Sequence, residues 1–257
     1  MSNLYLASFA SNTMHDALIR ITNQAKEFEL FDTIFAYTEA DLMKDTEFWN
    51  KHSDFILSNP RGYGYWIWKP YLIKKTLEQM NDGDILLYLD VGCELNIKGS
   101  KKLLEYIEDV KNKKFMGTSA VSTEIRYTKM DLLKFFNVEN NKNLLRKKHM
   151  QSGCLLMTKC KEVIHVIDTW NDICFNNYHL IDDTPSIETN NIRFKDHRHD
   201  QSVLNMIVKT NNMTNYDLDP TEWGFTAECF KNNPSAMEYP IWYCRNKTGV
   251  SFIPHSL

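Results

Sequence analysis

The run Ile85-Leu86-Leu87-Tyr88-Leu89 is five apolar or aromatic residues in succession, and it ends at a carboxylate, Asp90. A strand of this composition has no polar face to turn toward water. It must be covered on both sides, which is the situation of a central strand in an α/β sheet layered between helices. Open sheets of that class bind ligands in the crevice at the carboxyl ends of their strands, and the run delivers Asp90 to that edge.

The surrounding sequence alternates in period. Residues 4–9 read as a strand, and Met14, Leu18, Ile21, Ala25 and Phe28 then repeat at helical steps behind Ser11 or Asn12 as cap. Residues 33–38 read as a second strand, residues 69–80 as a helix with Pro70 in its first turn, and Asn81-Asp82-Gly83 as a turn. A helix through Leu103, Leu104, Ile107 and Val110 follows, with further strands at 115–120 and 153–159. Between them Thr128 to Asp131 has the form of a capping box ahead of Leu132, Leu133, Phe135 and Phe136. Residues 162–175 and 199–209 complete the set as amphipathic helices. Strands alternating with helices predict an α/β fold with a mostly parallel sheet sandwiched by helices. Beyond residue 210 the pattern dissolves into aromatic, Pro-containing segments that read as an irregular C-terminal segment closing over a site.

Charge and cysteine usage exclude several function classes. With 30 basic against 33 acidic residues the net charge is -3, which gives no electrostatic footprint for nucleic acid. The six cysteines show no CxxC pair, so reduced thiols in a cytoplasmic protein are expected rather than a disulfide framework or a zinc site. The N-terminus lacks a basic n-region with a long apolar core, and no apolar run reaches membrane-spanning length. The basic clusters at 111–114 and 146–148 read as solvated faces, with peripheral contact to an anionic membrane as the most they offer. The sequons at Asn212 and Asn246 carry weight only in a secreted protein.

Three constellations carry possible chemistry. Arg61, Gly62, Gly64 and Lys69 lie among Tyr63, Tyr65, Trp66 and Trp68, just upstream of Asp90. Cations for phosphate and rings for stacking on a base or sugar sit together here, although an aromatic core cluster has the same composition. Asp90 itself reads either as a turn cap or as a ligand for a divalent cation on a nucleotide diphosphate. The second constellation pairs Asp182-Asp183-Thr184 with residues 196–205, where Asp200 and Ser202 also suit a helix N-terminus. His197 and His199 read as metal ligands or, with the weaker demand, as solvated side chains of a polar loop. The third is the late segment with Arg245 and Lys247, either folded back on a diphosphate or an ordinary charged tail.

Tyr-Gly-Tyr-Trp-Ile-Trp-Lys-Pro, Gly-Asp-Ile-Leu-Leu-Tyr-Leu-Asp-Val-Gly-Cys and His-Arg-His-Asp-Gln-Ser-Val-Leu, in this order, resemble the motifs of glycosyltransferases of bacterial surface-polysaccharide loci and large DNA viruses. The resemblance spans roughly residues 3–205. It implies the GT-A fold, a Rossmann-like nucleotide-sugar-binding sandwich, as one domain over 1–257, with a nucleotide-binding half at 1–120 and an acceptor half with the closing segment at 121–257. The element Asp200-Gln201-Ser202-Val203-Leu204-Asn205 further resembles the sugar-side helix of retaining family 8 transferases. The strand-end Asp-x-Asp of such enzymes is changed here, because Gly92 stands at the second carboxylate.

Carried over by position, the resemblance implies that Ala7, Ser8 and Phe9 border the base and that Arg61 and Lys69 meet the phosphates, helped by Arg245 and Lys247. Asp90 is the implied metal or ribose ligand, for Mn²⁺ or Mg²⁺, with metal dependence weakened by Gly92. Asp200 and Gln201 would act at the donor sugar. Trp66, Gln151, Ser152, Gly153, Asp182 and His199 would form the acceptor and sugar side, with Asp183 reaching the acceptor hydroxyl. Because it opens a helix, Asp200 is expected to be ionised, its pKa held low by backbone amides. The expected activity is transfer of a hexosyl or deoxyhexosyl group from a nucleotide-diphosphate sugar, UDP-linked, to a glycan, lipid-linked or protein-linked hydroxyl. A non-catalytic nucleotide or sugar binder of the same fold is the alternative.

Overall fold

The computed structural model describes residues 2–216, 218 and 234–253. Its centre is a five-stranded sheet in the order β2-β1-β3-β6-β5, built from β1 (Leu4–Ala10), β2 (Thr33–Thr38), β3 (Ile85–Leu89), β5 (Phe115–Thr123) and β6 (Lys148–Thr158). β1 is parallel to β2 and β3, while β6 is antiparallel to both of its neighbours, so four strands run one way and one is reversed. A two-stranded ribbon joins β4 (Glu94–Leu95) to β7 (Ile241–Trp242). The helices of eight or more described residues are α1 (His15–Glu27), α2 (Thr46–Ser58), α3 (Trp68–Glu78), α4 (Ser100–Lys113), α5 (Lys161–Asn176) and α6 (His199–Thr210).

The sheet separates two apolar cores. Tyr5, Ala7 and Phe9 of β1 with Leu86 and Tyr88 of β3 pack beneath α3, α5 and α6, whereas Leu4, Leu6, Ile85, Leu87 and Leu89 pack against α1 and α4. This two-sided burial is why the 85–89 run carries no alternation. The α/β sandwich expected from the sequence is therefore the fold. Because β1 and β3 are parallel and β6 reversed, the carboxyl ends of the first two meet the amino-terminal half of the third. Asp90 N donates to Gly153 O at 2.8 Å across this edge.

Local expectations fail where side chains choose other partners. No capping box forms at 128–131: Thr128 Oγ1 donates to Glu124 at 2.9 Å, and the Asp131 carboxylate accepts from the amides of Ile187 and Glu188. A reciprocal box forms instead at Thr38 and Asp41, ahead of a short helix. Helix α2 escapes a periodicity reading because a histidine, His52, stands in its buried stripe between Phe48 and Ile56.

Residues 62–66 form a left-handed turn, with φ of +60°, +54°, +80°, +52° and +62° in order. For L-residues such a turn costs about 1–2 kcal/mol per residue, and Tyr63, Tyr65 and Trp66 are not glycine. Compensation comes from a closed set of hydrogen bonds, with Gly64 N on Asn59 O (2.9 Å), Tyr65 N on Arg61 O (2.8 Å) and the Trp68 indole on Gly62 O (2.9 Å). The two glycines are required sterically as well: a Cβ at Gly62 would sit 2.5 Å from the Trp66 ring, and one at Gly64 2.7 Å from Ile56 Cγ1. Gly64→Ala is expected to destabilise the protein by about 2–4 kcal/mol, combining left-handed strain with overpacking. Chemical denaturation of the variant checks this, and a loss below half a kcal/mol would contradict it.

Candidate active site

A cavity of about 790 Å³ opens at the carboxyl edge of β1 and β3. Lys69, Asp90, Ser152, Asp200 and Gln201 form its floor, and Phe9, Trp66, His199, Arg61, Arg245 and Lys247 contribute to its walls. Eleven residues named from the sequence thus converge from segments as far apart as 9 and 247.

The floor is organised around Lys69. Helix α3 places its ammonium, 2% exposed, at 3.0 Å from Asp90 Oδ1, 3.4 Å from Asp200 Oδ2 and 3.1 Å from Ser152 Oγ. Tyr88 Oη donates to the same Asp90 oxygen at 2.9 Å, and Ser152 Oγ donates to Asp200 at 3.0 Å. Burial alone would lower the Lys69 pKa, but attraction to Asp200 and Asp90 outweighs it and holds the ammonium above its ordinary value. Burial pushes the Asp200 carboxyl up to about 6; Lys69 pulls it down, and Asp90 pushes it further up. The expectation that helix amides keep Asp200 low is therefore corrected: its oxygens turn into the floor, away from the amides of α6, and pay for desolvation. Lys69 is likewise committed to two carboxylates, where the sequence suggested a cation open to phosphate.

Helix α6 is locked onto β6 in register. Ser152 N donates to Gln201 Oε1 at 3.2 Å, and Asn205 both accepts from Met150 N (2.6 Å) and donates to Met150 O (2.7 Å). Behind it Glu124, Lys209 and His149 form a buried charge cluster, with Glu124 2.8 Å from His149 Nδ1 and in contact with the Lys209 ammonium. Asn205 entered the sequence reading only as a motif letter. Tyr88 was hidden inside the apolar run, though strand period two puts residues 88 and 90 on one face.

His197 and His199 are buried, contrary to a solvated loop. His197 Nε2 lies 2.8 Å from Leu180 O, and His199 Nδ1 lies 2.7 Å from Ile181 O. Each imidazole donates its proton to a carbonyl and is held neutral, its pKa lowered chiefly by burial. His199, itself at φ +53°, stacks on Tyr65 and Trp66 with centroids at 5.0 and 5.4 Å. Its Nε2 has no hydrogen-bond partner and lies 3.7 Å from Asp183 Oδ1. Arg61 holds Asp183 through both carboxylate oxygens, at 3.0 and 2.7 Å.

Six residues named from the sequence do not line the cavity: Ala7, Ser8, Gln151, Gly153, Asp182 and Asp183. Ala7 belongs to the core beneath α3, and Ser8 is buried with its hydroxyl unpartnered. Gln151 turns to Ser119 O at 3.4 Å, and Asp182 caps Thr184 while receiving Lys129 at 3.5 Å. The late segment does fold back. Arg20 binds the carbonyls of Asn246, Thr248, Val91 and Cys93, and buried Glu94 accepts from Asn246 Nδ2 (2.7 Å), Gln24 Nε2 (2.9 Å) and Phe252 N (2.9 Å). Burial would raise Glu94, but these hydrogen bonds more than offset it and keep the carboxylate below its usual value. The clamp carries Tyr243, Arg245 and Lys247 to the cavity.

The fit of a divalent cation can be tested on these side chains. Asp90 Oδ1 is taken by Lys69 and Tyr88, and Oδ2 lies beside Gly153 and Tyr243, where a Cβ on Gly153 would fall 2.4 Å from both Asp90 Oδ2 and Tyr243 Oη. A Cβ on Gly92 would sit 3.2 Å from Arg245 Cα, so backbone occupies the direction a second carboxylate would need. Among the described residues no three His, Cys, Asp or Glu side chains gather as a metal-binding group. The residues present do not fit a divalent metal at Asp90. The described cysteines, 93, 154, 160, 174 and 244, are free thiols; Cys229 lies outside the described residues. No described helix is long and apolar enough to cross a membrane.

No family model and no curated protein matches the sequence. Among solved structures, the apo form of the bifunctional glycosyltransferase WbbM aligns with 93% of this chain at 11% identity and TM-score 0.50, over 45% of its own length. A glycosyltransferase involved in the glycosylation of the major capsid of PBCV-1 aligns over 93% of this chain and 92% of its own at 9% identity and TM-score 0.47. The galactosyltransferase LgtC, in complex with donor and acceptor sugar analogs, aligns over 93% and 87% at 14% identity and TM-score 0.47. At these identities the likeness is one of fold.

Removing Lys69 would leave Asp90 and buried Asp200 facing one another without a counter-charge. Lys69→Met is expected to lower stability by about 3–5 kcal/mol, the scale of a broken buried ion pair. Urea unfolding measures it, and a variant as stable as the parent would show that the carboxylates do not depend on this ammonium.

Proposed function

We propose that the chain is a glycosyltransferase acting on a nucleotide-diphosphate sugar, with UDP as the first donor to try and a glycan or other hydroxyl as acceptor. The observation that carries this reading is the Asp90–Lys69–Asp200 floor, set at the carboxyl edge of a GT-A sheet in a cavity with stacking surfaces and cations on its walls. The end of β1, with Phe9, Ser11 and Thr13, suits the base and ribose, and Arg245 and Lys247 suit the diphosphate. Asp200 and Gln201 then face the sugar.

The chemistry follows from charge. Breaking the bond from anomeric carbon to phosphate leaves negative charge on the diphosphate and positive charge on the sugar ring. Guanidinium and ammonium groups lower the energy of the leaving group, and an ionised Asp200 lowers that of the oxocarbenium-like ring. The half-buried Trp66 ring, stacked on buried His199, offers a flat apolar surface for an acceptor sugar.

Release of nucleoside diphosphate from a panel of UDP-, GDP- and dTDP-sugars tests the activity; binding of every donor with no hydrolysis or transfer would favour the non-catalytic alternative. Asp200→Asn is expected to cut turnover by about a hundredfold or more while leaving nucleoside-diphosphate affinity within about threefold. Calorimetry beside kinetics separates the two effects. Because Asp200 acts ionised and its carboxyl titrates at about 6, turnover should rise as pH increases through that value. The same group binds a proton in the folded state that the unfolded chain has released, so its contribution makes stability fall as pH rises from 3.8 to about 6. Asp200→Asn should remove the acidic limb, and an unchanged pH profile would refute this assignment.

A further inference from the structure

The misfit of a divalent cation at Asp90 has a positive counterpart. We propose that protein cations replace the metal in this site, Lys69 compensating the Asp90 and Asp200 carboxylates and Arg245 with Lys247 neutralising the diphosphate, so that nucleoside diphosphate binds and reacts without Mn²⁺ or Mg²⁺. The inference rests on the nucleotide-sugar reading above and specifies how that site handles charge.

Three features support it. The ammonium of Lys69 lies within 3.0–3.4 Å of both carboxylates, and a second cation placed on Asp90 would be repelled by it at close range. At Gly92 the missing side chain is matched to the backbone of Arg245, 3.2 Å from the position of a Cβ, and Asn246 N donates to Gly92 O at 2.9 Å. The glycine that removes a metal ligand is thus the contact that seats the segment bearing the replacement cations. Finally, the late segment brings two further basic side chains, Arg245 and Lys247, into the lining of the cavity that holds Asp90, and cations so placed suit a diphosphate.

The test is calorimetric titration of UDP, GDP and dTDP into the full chain in EDTA and, separately, in MnCl₂. Release of UDP from UDP-sugars, by transfer of the glycosyl group to water, is followed under both conditions. Affinity for the bound nucleotide should agree within about threefold between the two, and turnover should persist in EDTA. Arg245→Gln/Lys247→Gln should weaken nucleotide binding in EDTA by about tenfold or more, the scale of lost charged hydrogen bonds. Circular dichroism confirms that this variant is folded. Binding or turnover that collapses in EDTA and returns with Mn²⁺ would overturn the proposal while leaving the glycosyltransferase reading intact. A folded double variant that binds as the parent does would overturn the part given to Arg245 and Lys247. Failure of all three nucleotides under both conditions would overturn the donor reading and this proposal together.

Discussion

One buried ammonium sets the arrangement of the site. Asp90 ends β3, Ser152 lies on β6 and Asp200 opens α6, and Lys69 of α3 touches all three. An unpaired buried carboxylate would be expelled or protonated, because desolvation in the interior costs several kcal/mol per ion. The counter-charge therefore fixes where two strands and two helices meet. The same proximity explains why the charges do not simply cancel: Asp200 still sits higher than an ordinary carboxyl, because burial and the neighbouring Asp90 act against it.

The rest of the structure holds that meeting point in register. Asn205 grips both backbone atoms of Met150, which prevents α6 from sliding along β6, and the Glu124–His149–Lys209 cluster anchors the far side of the same helix. A shift of one residue on β6 would turn Ser152 away and bring a core residue to the cavity. On the opposite wall the left-handed turn at 62–66 is a local cost that presents Tyr65 and Trp66 to His199 as a stack. Strain of this kind persists where surrounding contacts over-determine it.

The late segment illustrates how small residues act at a distance. In the sequence Gly92 stands out only as a missing carboxylate and Gly153 only as an acceptor-side position, yet each makes room for something specific. Gly92 admits the backbone at Arg245, and Gly153 admits the Asp90 carboxylate and the Tyr243 hydroxyl. Arg20 and Glu94, both buried, then tie residues 246–252 to the body. Without that clamp the cavity would lack two of its cations.

The sequence by itself determined the layered α/β class, the place of β1, β2 and β3, the helices that cover them and the carboxylate at the end of the central strand. These depend on hydrophobic period and on the termination of apolar runs, which are local properties. It also flagged Arg61, Lys69, Asp200 and Arg245 as chemically suggestive. Only the tertiary structure decided what they do with their charge. Whether Lys69 meets phosphate or carboxylate, whether Asp200 is held low by amides or raised by burial, and whether His199 is wet or stacked are questions of burial and of which distant side chains arrive within about 3 Å, the reach of a hydrogen bond. Pairings such as Lys69 with Asp200, or Gly92 with Arg245, join residues more than a hundred positions apart, and no periodicity in a single chain encodes such meetings.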